Sequence, residues 1–94
     1  MIRSRVKIIL PYPHLQQFTN HQESVEVDGS TVGECLGNLV RRFPGVEKEI
    51  LDEHGQLLSH VFCYVNGKAV YPTILTDGVR EGDEIMIALL LAGG

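Results

Sequence analysis

The 94 residues predict an α+β fold in which one main helix packs on one face of a small mixed sheet, of about four to five strands. Three observations carry this reading. A helical apolar stripe is clearest in "STVGECLGNLVRRFPG". Runs with period-2 alternation stand before and after it. An Asn-Gly pair joins two of the later runs, which makes them a hairpin. One helix can cover only one face of a small sheet, so the other face must find a different fate.

In chain order, residues 2–10 alternate, with Ile2, Val6, Ile8 and Leu10 on one parity and Arg3, Arg5 and Lys7 on the other until Ile9. That pattern is a half-buried strand. "PYPHLQQFTNH", residues 11–21, reads as a loop, with two prolines, two histidines and an Asn. "SVEVDG" alternates again and ends in a turn at Gly29, so the first two strands form a long-looped hairpin. In the helix, Thr31 and Glu34 have capping-box spacing. Val32, Cys35, Leu36, Leu39, Val40 and Phe43 form the stripe, Arg41 and Arg42 suit the negative end of the dipole, and Pro44-Gly45 stops the element. Gly33 and Gly37 have GxxxG spacing, which in a soluble amphipathic helix points to close packing.

"VEKEILDEHG" adds a short helical turn. "HVFCYVNGKAVYP" is the hairpin, its Asn66-Gly67 supplying the positive φ values of a type I′ turn. "LTDGVREGDEI" is turn chemistry, and residues 84–90 form a last strand, apolar on both parities. The most apolar strand belongs in the centre, beside the first. The helix stripe is then expected on the face bearing Val6, Ile8, Val25, Val27, Val61, Val65, Ile85 and Ile87.

Composition narrows the function. Net charge is −4, from eight basic and twelve acidic residues, which is the wrong balance for a nucleic-acid footprint and a better one for a basic protein surface. No run of apolar residues approaches a membrane span, and the apolar part of "MIRSRVKIILPYP" is too short for a signal sequence. Cys35 and Cys63 have no CxxC or zinc spacing and sit inside apolar patterns, as small buried hydrophobes. The expected compartment is a reducing cytoplasm.

Candidate chemistry is sparse. His14, His21, His54 and His60 lie in loops or at element edges, none at metal-ligand spacing to another His or Cys. There is no GxGxxG, Walker loop or GxSxG elbow. Asp77, Glu81, Asp83 and Glu84 cluster around Gly78 and Gly82, the composition of a solvated turn rather than an acid/base pair. No metal or bound cofactor is expected.

The end of the sequence is different. "IALLLAGG" runs from strand to two glycines, Gly93 and Gly94. Glycine presents a backbone able to enter a slot too narrow for any other residue. Residues 91–94, as a flexible extension of the single domain 1–94, would reach roughly 13 Å beyond the sheet. With one sheet face under the helix, Phe62, Tyr64, Met86, Ala88 and Leu90 fall on the opposite parity, and with Leu91 and Ala92 they make an expected partner surface. Folding of the loop 11–21 over that face is the competing expectation.

The chain resembles the MoaD/ThiS-type sulfur carriers, ubiquitin-like β-grasp proteins of cofactor and amino-acid biosynthesis. The resemblance spans nearly the whole sequence and is carried by "VDGSTVGECLGNL", "FPGVEKEILDEHGQL", "YVNGKAV", "DGVREGDEIMI" and the final "AGG". It implies a β-grasp fold and a protein on which chemistry is done. An E1-like enzyme would use ATP to adenylate the carboxylate of Gly94. Sulfide or a persulfide would displace AMP, and the thiocarboxylate would pass sulfur to an acceptor synthase or sulfhydrylase. Gly93 would be needed for the tail to thread. The pathway stays open between cysteine or homocysteine, molybdopterin and thiamine synthesis. "FPGVEKEILDEHGQL" and "YVNG" look most like the cysteine and homocysteine carriers, while "ALLL" at 88–91 stands where molybdopterin-synthase small subunits often show prolines. A modifier joined to lysines through Gly94, or a synthase small subunit, are the alternatives the resemblance leaves.

Overall fold

Period-2 alternation becomes pairing where neighbouring strands can bury the same face. The computed structural model describes residues 5–70, 75 and 77–90. Its strands are β1 (Arg5–Ile9), β2 (Ser24–Asp28), β3 (Val61–Val65), β4 (Lys68–Val70) and β5 (Glu84–Leu89). They form one sheet in the order β2-β1-β5-β3-β4. β1 and β5 pair in parallel at the centre, and the other neighbours are antiparallel. The most apolar strand therefore does lie beside the first, buried from both edges, where a run without polar alternation costs least.

The helices are α1 (Pro13–Gln16), α2 (Val32–Arg42) and α3 (Glu47–Ile50), with a 3-10 turn at Pro44–Val46 before α3. α2 begins where the sequence places it. The Glu34 N–H donates to Thr31 Oγ1 at 3.0 Å, and the Glu34 carboxylate accepts from the Ser30 N–H at 2.8 Å, one residue further back than the usual capping box reaches. Another free donor of the first turn, the Val32 N–H, reaches the Asp77 carbonyl at 3.0 Å. Val32, Cys35, Leu36 and Leu39 are buried beneath the helix, Phe43 packs at the margin of the core, and Val40 is half-buried. Gly33 is a close-packing glycine, since a Cβ there would lie 2.9 Å from the Leu75 carbonyl oxygen.

The covered sheet face carries Val6, Ile8, Val25, Val27, Val61, Cys63, Ile85 and Ile87, all within one buried cluster. Val65 lies on this face as expected and packs against the cluster, though less deeply than the rest. It is the last residue of β3 and lines a cleft with Val32, Asn66 and Lys68, so it is only half-buried, while Cys63 is fully buried. The hairpin turn is as predicted, with φ of 51° at Asn66 and 84° at Gly67.

Segment 11–21 is more ordered than a loop. Pro13 opens α1, Leu15 is fully buried, and Phe18 lies against Gly45 of the 3-10 turn. His14 Nε2 and Glu49 Oε1 are 2.6 Å apart, joining α1 to α3. Leu15 is the physical reason: one leucine at the right depth draws a polar segment into the core cluster. The free edge of β2 is also closed. Asn38 Nδ2 donates to the Asp28 carbonyl and an Arg42 NH group to the Glu26 carbonyl, each at 2.6 Å. Helix side chains thus take acceptors that an incoming strand would need.

Candidate functional site

The face of the sheet opposite α2 is built by register. Phe62 is paired with Ala88 and Tyr64 with Met86 across β3 and β5, and Met86 meets Ile9 across β1 and β5. Residues at paired positions share a face, so these five side chains form one apolar field across three strands. Phe62, Tyr64, Met86, Ala88 and Ile9 are all partly buried. Leu90, just past the strand, is 63% exposed and extends the same parity. Among the described residues Leu90 is the one large hydrophobic that stands exposed.

Ile9 belongs to this field although sequence reasoning left it out. The signal was present as the residue that breaks the polar parity of β1. Its neighbours on that parity, Arg5 and Lys7, are exposed. Lys7 stands opposite Glu26 on one side and Glu84 on the other, so the apolar field gives way to charges that answer each other.

Leu91, Ala92, Gly93 and Gly94, on which the tail reading falls, lie outside the described residues. What the structure defines is the root from which they follow. The Leu90 N–H donates to the His60 carbonyl at 2.8 Å, and the Leu89 N–H donates to the Tyr12 hydroxyl at 3.1 Å.

Several titratable groups tie parts of the fold together or lie buried in it. Asp83 is held below the usual carboxylate range by the Asn66 side-chain amide at 3.0 Å and the Arg80 N–H at 2.8 Å, which ties the β3–β4 turn to the start of β5. Glu81 accepts from the Arg5 N–H at 2.7 Å. Asp52 is lowered by the N–H groups of Gln56 and His54. Burial pushes the thiols of Cys35 and Cys63 up to about 11. Both are therefore neutral and buried at physiological pH, the opposite of a reactive sulfur nucleophile. Among the described residues no group of three or more His, Cys, Asp or Glu could hold a metal, and no helix is long and apolar enough to cross a membrane.

No family model matches the chain. Individual proteins do. The small archaeal modifier protein 1 of Haloferax volcanii is 34% identical over 71 residues, 74% of this chain and 78% of that protein. The sulfur carrier protein CysO of Mycobacterium tuberculosis is 30% identical over 83 residues, 85% of this chain and 89% of that one. Among solved structures, a chain of the BexX/CysO complex of Amycolatopsis orientalis superposes with a TM-score of 0.84 at 30% identity, covering 95% of this chain and 99% of its own. These relatives are small carrier and modifier proteins rather than catalytic enzymes. Fold and sequence agree: the chain belongs to the MoaD/ThiS-type family of ubiquitin-like β-grasp sulfur carriers and modifiers.

Proposed function

We propose that this protein carries sulfur as a thiocarboxylate on Gly94. The observation that supports it best is the likeness to a sulfur carrier over 85% of the chain. The apolar field leading to exposed Leu90 supplies a place for partners to hold it. A carboxylate is a poor acyl donor because its leaving group would be oxide. An E1-like enzyme would let the Gly94 carboxylate oxygen attack the α-phosphate of ATP, releasing pyrophosphate and leaving a mixed anhydride. Sulfide attack on that carbonyl expels AMP and leaves –COS⁻. A persulfide donor would need a thiol to complete the same exchange. Phe62, Tyr64, Met86, Ala88 and Leu90, continued by Leu91 and Ala92, would dock the activating enzyme and then the acceptor synthase or sulfhydrylase. The BexX/CysO complex shows that a similar chain assembles with a partner protein. Gly93 would pass through the narrow approach to the reacting centre. Two buried, neutral thiols fit a reducing cytoplasm.

A second reading has its own support. The 34% identity to an archaeal modifier favours conjugation, in which a lysine amine of a target attacks the same activated carbonyl and forms an amide. One experiment separates the two. The protein is incubated with an E1-like enzyme, ATP and sulfide, and its C-terminal peptide is weighed. Replacement of one carboxylate oxygen by sulfur supports the carrier. A ladder of covalent conjugates in cell extract, without thiocarboxylate, supports the modifier. Neither product would end both readings.

A further inference from the structure

The end of β5 is gripped from two sides. Successive N–H groups along a strand point to opposite edges. The Leu90 N–H reaches the His60 carbonyl just before β3, so the Leu89 N–H points the other way, toward the edge that β1 occupies further back. β1 does not serve it. The parallel ladder pairs Ile9 with Met86 and ends there, and the chain turns off through Leu10 and Pro11, the Leu10 N–H bonding to the Glu23 carbonyl at 2.7 Å.

What meets the Leu89 N–H is a side chain. The Tyr12 hydroxyl accepts it at 3.1 Å in a part-buried setting. Tyr12 is placed by its neighbours. It has φ −110° and ψ 126°, the extended conformation that a following proline imposes, and Pro13 starts α1, whose Leu15 is fully buried. Its ring packs against the core cluster. The two prolines and the leucine anchor leave the phenol little freedom before it reaches the sheet.

We propose that Tyr12 is a positioning residue for the tail. Its hydroxyl stands in for the β1 carbonyl that is missing at this level, extends the central ladder to Leu89 and fixes where the chain leaves the sheet. This rests on the carrier-or-modifier reading, because in either case an enzyme must find Gly94 at a set depth. Without the Tyr12 bond the end of β5 is held from one edge only, by the Leu90 N–H on the His60 carbonyl, and the direction of the tail's root is left to be ordered on docking. That ordering is complete once the complex has formed, so it weighs on KM more than on kcat.

Tyr12→Phe tests this, since it removes the hydroxyl and keeps the ring. Amide hydrogen exchange at Leu89 should become roughly three- to tenfold faster, the effect of one lost hydrogen bond, while exchange at Ile87 and Val61 stays at the parent rate. In charging by an E1-like enzyme, KM for the variant should rise by a similar factor with kcat nearly unchanged. Parent-like exchange at Leu89 would show that the hydroxyl does not hold the strand and would overturn the proposal. So would faster exchange with an unchanged KM, because a purely structural bond would behave that way. If the parent itself is neither charged nor conjugated, the functional reading falls, and the exchange measurement still decides whether Tyr12 sets the end of β5.

Discussion

Met86 stands directly opposite Tyr64 across β3 and β5 and beside Ile9 across β1 and β5, on the face that α2 leaves uncovered. This makes it the centre of the apolar field rather than its rim. A charge placed there would have to be desolvated by any partner that docks. Met86→Glu should weaken association with the activating enzyme by about tenfold or more, measured as the rise in KM for charging, with a circular dichroism spectrum like the parent's. Unchanged charging would move the dock elsewhere, and the acidic turn at 77–84 would be the next surface to examine, through its salt dependence.

Leu39 is fully buried at the middle of α2, in the cluster that joins helix to sheet. Leu39→Ala should cost roughly 2–5 kcal/mol in urea unfolding, from lost transfer energy and an unfilled cavity. A negligible loss would mean that the helix docks by a different face.

The stability of the fold should fall on acidification, and the sign follows from the carboxylates. Glu34 is held below its ordinary 4.5, chiefly by the Ser30 N–H, and Asp52 and Asp83 are held below 3.8, chiefly by the Gln56 N–H and the Asn66 amide. A depressed folded value means that the unfolded chain binds protons first. The stabilisation is complete above the ordinary values and is lost as pH falls through the folded ones. Urea midpoints measured between about pH 5 and pH 3 should drop, and Glu34→Gln should flatten part of that drop. An equal slope in parent and variant would mean that the Glu34–Ser30 contact does not persist in solution.

The tail variants test threading. One residue appended after Gly94 should abolish charging, since the carboxylate would sit at the wrong depth and beside a side chain. Gly93→Val should fail as well, because a β-branched residue both widens and stiffens the backbone. Both should unfold at the parent's midpoint. Full charging of the extended protein, with mass spectrometry showing no trimming, would rule the threading argument out.

Much of the fold was legible because it is written in local periods. The stripe through Val32, Cys35, Leu36 and Leu39 and the alternation of Val25 with Glu26 each need only a few neighbouring residues to declare a face. The positive φ of Asn66 and Gly67 is likewise a local matter. The apolar field was legible for the same reason, since parity alone separates Met86 and Ala88 from Ile85 and Ile87. Residues 11–21 were not. Their prolines and polar groups read as a loop, and the buried Leu15 and Thr19 that seat them on the core have no period to announce them.

The sequence by itself determined the α+β class, the helix and its cap, the hairpin turn, the central place of the last strand and the parity of the surface beside the tail. All of these follow from alternation, spacing and backbone preference within short windows. Only the tertiary structure decided that Ile9 completes the apolar field, that Val65 stands half out of the core at its corner, and that the Tyr12 hydroxyl receives the Leu89 N–H. Tyr12 and Leu89 are separated by 77 positions in the chain, and no local pattern encodes such a meeting. It exists because β1 stops short of β5 and leaves a backbone donor to be satisfied, and buried donors find whatever acceptor the fold brings within reach.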